Sequence, residues 1–83
     1  MKARVYVSLK PTVLDPQGQT IRSALNGLGH QSIADVRQGK YFDLVLADGV
    51  TSEAALKEVE QIAADVLSNP VIEEYRVDLL DEE

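Results

Sequence analysis

The chain has 83 residues, 14 acidic against 8 basic side chains for a formal net charge of −6, and no cysteine. This length makes one domain, residues 1–83, with a small core, because a chain of this size buries only roughly 60–65% of its unfolded surface. The missing cysteine excludes a disulfide framework, a zinc–thiolate site and a thiol nucleophile, and the acidic balance disfavours nucleic acid and other polyphosphate partners, which need clustered Lys and Arg.

No apolar run approaches the roughly 20 residues of a membrane span, and Met1-Lys2-Ala3-Arg4 leads straight into strand residues rather than a signal peptide. A cytoplasmic protein without membrane attachment is the expectation. The last residues, Asp81-Glu82-Glu83, read as a solvated acidic tail.

Residues 2–10, KARVYVSLK, alternate Ala3, Val5, Val7 and Leu9 with polar or amphipathic neighbours, the period of a half-buried strand. The stretch KPTVLDPQG comes next. It is long for a strand-to-helix connection and carries two prolines and two apolar residues. Asp15-Pro16 predicts a helix start, with Asp15 as N-cap and Pro16 at the first helical position. Ile21, Ala24, Leu25 and Leu28 give that helix an apolar face, and Gly29 fits its C-terminal cap.

A second strand is predicted over Ile33 to Arg37 and a third over Lys40 to Ala47. A tight Gln38-Gly39 hairpin would join them, with Gly39 at positive φ. Asp48-Gly49 closes the third strand. Thr51 or Ser52 caps a second helix, whose apolar face is Ala55, Val59, Ile62, Ala63, Val66 and Leu67. Asn69-Pro70 stops it. A fourth strand runs from Val71 to Leu80, with Tyr75, Val77 and Leu79 inward.

The order β-α-β-β-α-β predicts an α+β ferredoxin-like fold, a four-stranded antiparallel sheet with two helices on one face. The opposite face then carries Arg4, Tyr6 and Ser8, then Tyr41, Asp43 and Val45, then Glu74, Arg76, Asp78 and Leu80. It is too apolar for pure solvation and too polar for a core. A homo-oligomer interface through Tyr6, Tyr41 and Val45 would suit it, with ordinary exposure as the competing reading.

Catalytic constellations are wanting. His30 is the lone histidine, placed near a helix C-terminus where its charge is favourable. No second His or Cys stands at metal-ligand spacing, and no G-x-S-x-G elbow organises a serine. Glu73 and Glu74 point to opposite faces of a strand. Arg37-Gln38-Gly39-Lys40 is the most basic cluster and would suit a phosphate, a partner carboxylate or simple solubility. An RNA-binding sheet would want more aromatics and basic flanks. An acylphosphatase would want an arginine in the loop after the first strand, where this chain has none. A small ligand-binding regulatory domain at a subunit interface stays open.

The segments VYVSLKPTVLDPQGQTIRSALNGLG, VRQGKYFDLVL and LSNPVIEEYRV, taken in order, resemble the PurS family, the small subunit of phosphoribosylformylglycinamidine (FGAM) synthase. The resemblance spans nearly the whole chain. It implies a non-catalytic bridging subunit in the fourth step of de novo purine biosynthesis. That step is the glutamine- and ATP-dependent conversion of formylglycinamide ribonucleotide (FGAR) to FGAM. The partners would be a glutaminase subunit (PurQ), which releases ammonia, and a synthetase subunit (PurL), which uses ATP and magnesium. No cofactor is implied for this chain, and a homodimer or homotetramer is.

The resemblance also turns KPTVLDPQG into a rigid docking loop. Pro11 and Pro16 restrict the backbone, and Val13 and Leu14 either contact a partner or plug one end of the core. Asp15 caps the helix, and Gly18 allows close approach in its first turn. Arg37, Gly39, Lys40 and Glu73 fall in the matching later segments and complete the expected partner-facing set.

Overall fold

Strict alternation in the first strand decides the centre of the molecule. In the computed structural model, which describes residues 1–80, strand β1 (Lys2–Leu9) lies between β2 (Gly39–Val45) and β3 (Glu73–Leu80). The sheet is antiparallel with order β2-β1-β3. Val5 faces Phe42 on one side and Val77 on the other, while Tyr6 faces Tyr41 and Arg76. Period two therefore buries Ala3, Val5 and Val7, flanked by half-buried Phe42, Leu44, Leu46, Val77 and Leu79. The tail Asp81-Glu82-Glu83 lies outside the described residues.

Helix α2 (Ser52–Ile62) covers part of this face. Thr51 caps it, its side chain accepting from the Ala54 amide at 3.2 Å, and Ala55 and Val59 are buried beneath it. The helix runs on into a π turn, Ala63–Leu67, where the Ser68 amide donates to the Ala63 carbonyl at 3.0 Å. The extra residue in that turn rotates the positions after it about the helix axis. Leu67 turns toward the core while Val66 is 73% exposed, so the apolar face predicted to include Val66 is corrected there. Asn69 then builds a turn: its side chain accepts from the Val71 amide, its carbonyl accepts from the Ile72 and Glu73 amides, and the Glu73 carboxylate accepts from the Asn69 amide.

Two expectations fail together. The sheet has three strands among the described residues, not four, because Ile33 to Arg37 pairs with no strand. The predicted Gln38-Gly39 hairpin does not form either. Positive φ occurs only at Gly29 and Gly49 among the described residues, and Gly39 instead opens β2 opposite Ser8. A Cβ on Gly39 would stand 2.9 Å from the Val7 carbonyl oxygen, so close strand approach, not turning, is what this glycine serves.

Helix α1 (Pro16–Gly27) starts as predicted, capped by Asp15 with Pro16 in the first turn, and Gly29 lies beyond its end at φ 103°. It does not lie on the sheet. It projects from the end of β1, and residues 30–38 return along it. Asn26 Nδ2 donates to the carbonyls of His30 and Ile33, Arg22 donates to that of Ala34, and Gly18 backs onto that of Val36. The chain thus divides into a body, made of sheet and α2, and an arm, residues 10–38. The extents are 51 × 32 × 14 Å and the radius of gyration is 16.4 Å, against about 12 Å for a compact chain of this length.

Candidate functional site

The base of the arm gathers most of the residues singled out in the sequence. Val13 N–H donates to the Lys10 carbonyl, closing a turn over Pro11 and Thr12, and the Lys10 amide donates to the Ile72 carbonyl at 2.8 Å, tying the turn to the start of β3. Arg37 crosses from the returning segment and donates through Nη2 to the carbonyls of Lys10 (3.0 Å) and Val13 (2.8 Å). Loop carbonyls that no strand or helix satisfies are thereby paired, which explains an arginine at this position without any acidic partner.

Asp15 is the second brace. It is 4% exposed, the one buried charged residue among those described. One carboxylate oxygen accepts from the Gly18 amide at 2.9 Å and the other from the Gln38 amide at 2.7 Å. The bond from Gln38, then that from Gly18, holds the Asp15 carboxyl below the usual carboxylate range, against the opposing effect of burial, and the Arg37 charge adds to this. Gly18 completes the joint, since a Cβ there would fall 2.1 Å from the Val36 carbonyl oxygen.

Two open depressions flank the joint. One, of about 250 Å³, is lined by Asp15, Gln17, Gln38, Gly39, Lys40 and Glu73 with the end of β1. The other, of about 290 Å³, includes Pro11, Asp35, Arg37 and Glu74. The structure thus brings Pro11, Asp15, Arg37, Gly39, Lys40 and Glu73 to one end of the sheet, although they lie up to 62 positions apart in sequence. Beside them Val13 is half-buried and Leu14 is 64% exposed. Leu14 is therefore no plug for the core.

The outer sheet face, away from α2, is organised differently. Arg4 Nε and Nη2 donate to the Asp43 carboxylate at 2.7 and 3.2 Å, which stabilises the charge on both groups. The Arg4 guanidinium also stands 4.5 Å from the Tyr41 ring, and that of Arg76 4.4 Å from Tyr6. Tyr6 and Tyr41 are ring neighbours at 6.2 Å. Val45 is 76% exposed at the edge of this face.

Comparison with known proteins gives this geometry a family. The family model for PurS, described as phosphoribosylformylglycinamidine (FGAM) synthase, matches residues 2–81. The chain belongs to the PurS family. The PurS subunit of Mycobacterium leprae is 46% identical over 92% of this chain and 91% of its own length. That of Bacillus subtilis is 40% identical over 94% and 90%. Among solved structures, Methanocaldococcus jannaschii PurS superposes with a TM-score of 0.87 at 36% identity, covering 99% of this chain and 98% of the other. A chain in a structure of PurLQS from Thermotoga maritima gives 0.82 at 34% identity, with 95% of each chain covered. The protein is thus a PurS subunit of FGAM synthase, in purine biosynthesis.

Nothing at the arm base of this PurS-family chain assembles a nucleophile with a base, and no group of three or more His, Asp or Glu suited to a metal occurs among the described residues. What the site offers is a braced loop with exposed Leu14, exposed Lys40 and a polar rim. Sequence reading missed Gln17, Gln38 and Val36. Gln38 and Val36 act through backbone atoms, so their side chains carry no signal. The only hint was Gly18, whose need for space implied a close neighbour without naming it. Among the described residues no helix is long and apolar enough to cross a membrane.

Proposed function

We propose that this chain is the non-catalytic bridge of a three-component FGAM synthase, joining a glutaminase subunit (PurQ) to a synthetase subunit (PurL) so that ammonia released by one reaches the other. ATP and magnesium belong to the synthetase, and this chain holds no cofactor of its own. The assembly is cytoplasmic and involves neither nucleic acid nor membrane. The observation that carries this reading is the likeness, over 95% of both chains, to a chain in the PurLQS structure from Thermotoga maritima.

The partner-facing surface is the arm base: Pro11, Val13, Leu14, Asp15, Gly18, Arg37, Gly39, Lys40 and Glu73. These residues divide the work. Asp15, Gly18 and Arg37 hold the loop in shape, Gly39 lets β2 start close against Ser8 of β1, and Glu73 holds the Asn69 turn. Pro11, Leu14 and Lys40 are exposed and present the contact. A pre-braced loop loses little entropy on binding. Self-association, as a homodimer or homotetramer, uses the outer sheet face through Tyr6, Tyr41 and Val45, where stacked arginines and tyrosines form a flat amphipathic surface.

Reconstitution tests the proposal. Purified synthetase and glutaminase are mixed with ATP, magnesium, glutamine and FGAR, and this protein is titrated in. Glutamine-dependent FGAM should appear only on its addition and should saturate at a fixed stoichiometry. Full activity without it, and no association, would overturn the bridging role.

A further inference from the structure

A bridge has to hold two different partners, yet the residues assigned to partner contact gather at one place, the arm base. A second element stands beside it. Where α2 runs into the π turn, Val66 is carried outward to 73% exposure, and five residues on Val71 is 77% exposed at the Asn69 turn. An inserted residue that re-aims the side chains after it recurs at functional sites.

These valines do not sit on a loose loop. The Ser68 hydroxyl and amide both donate to the Ala63 carbonyl, at 2.7 and 3.0 Å, and close the π turn. The Val71 amide donates to Asn69 Oδ1 at 3.1 Å, the Ile72 and Glu73 amides donate to the Asn69 carbonyl, and the Asn69 amide donates to the Glu73 carboxylate at 2.8 Å. Backbone held this firmly keeps two apolar side chains in water, and a contact made there costs little ordering. The bond from the Lys10 amide to the Ile72 carbonyl makes the turn a neighbour of the arm base.

Charge separates the two elements. From Glu58 to Tyr75 the chain carries Glu58, Glu60, Asp65, Glu73 and Glu74 and no basic side chain, whereas the arm base presents Lys40. Neighbouring surfaces of opposite sign can select different partners. Of the two partner subunits, the synthetase handles ATP and a ribonucleotide, both anionic, so its chemistry is the one that calls for clustered Lys and Arg.

We propose that the Asn69 turn is the docking element for the synthetase subunit. An apolar side chain of the synthetase seats against Val66 and Val71, and Lys or Arg beside it pairs with exposed Asp65 and Glu74. This rests on the bridging reading and names the partner of one surface. The arm base is left to the glutaminase, so the two partners meet over the same end of the sheet.

The test measures binding of the full chain to purified synthetase and, separately, to purified glutaminase, each with ATP, magnesium and glutamine present. Val66→Ser with Val71→Ser should raise the dissociation constant for the synthetase at least ten-fold and leave that for the glutaminase unchanged. Asp65→Lys with Glu74→Lys should also weaken synthetase binding and flatten its dependence on salt. All four positions are exposed, so helix content and the urea midpoint should hold. Synthetase binding as tight as the parent's in both double variants would overturn the assignment and leave the bridging reading standing on the arm base. Weakened glutaminase binding instead would overturn the choice of partner. A parent chain that binds neither subunit would remove the bridging reading and this proposal with it.

Discussion

Body and arm are held by different forces. In the body, Val5, Val7 and Val59 are fully buried and the sheet registers around them, so burial of apolar area carries the stability. In the arm, only Asp15 and Gly18 are buried. Shape there comes from a capped helix, two arginine-to-carbonyl bonds and a carboxylate shared by two amides. A hydrophobic core tolerates rotation and sliding of its pieces until packing is complete, whereas a hydrogen-bonded joint sets one angle. The difference teaches that this small chain divides its labour: the body keeps it folded and the arm base keeps the KPTVLDPQG loop in one position.

The largest effect should come from the body. Val59→Ala removes two methyl groups from the closed interface of α2 and β1, and should cost about 2–3 kcal/mol in urea denaturation. That is a large share of the roughly 4–12 kcal/mol expected for 83 residues. Gly18→Ala should break the arm instead. Its Cβ has no room against Val36, and overpacking of this kind costs about 1–3 kcal/mol. Amide exchange should quicken in residues 30–38 and stay slow in β1. Uniform acceleration would erase the distinction between the two regions.

A third prediction concerns pH. Asp15 has a folded pKa below its ordinary value, so its contribution is complete above about pH 4 and is lost as pH falls through the depressed value. Acid should therefore loosen the arm base, read by exchange at Gly18 and Gln38, and Asp15→Asn should remove that acid-dependent step. The smallest effect on the isolated chain should be that of Lys40→Glu, an exposed residue, within about 0.5 kcal/mol. In the complex it should weaken binding, whereas Arg37→Glu should do so while also loosening the loop it braces.

Local chemistry was legible in the sequence. Asp15 and Thr51 as caps, Pro16 in the first turn, Gly29 just past the end of α1, and the alternating faces of all three strands come from rules that act within a few residues. What failed was long-range. Ile33 to Arg37 has the composition of a strand, but a strand needs a neighbour, and here its carbonyls face α1. The seat of α1 depends on the joint at Asp15 and Arg37, made largely of backbone groups that every residue possesses. Val66 was misplaced because a single π turn shifts the helical period. At the candidate site, proline, aspartate and glycine in KPTVLDPQG marked a rigid loop, yet nothing in composition revealed that Arg37 would brace it from the other side.

Amide exchange of this protein, alone and bound to the synthetase and glutaminase subunits, tests the docking assignment most directly. The account predicts new protection at residues 12–19, 37–40 and 73–74, with the α2 surface at Glu53, Leu56 and Glu60 unchanged. Protection confined to α2, with the arm base exchanging as in the free chain, would contradict it.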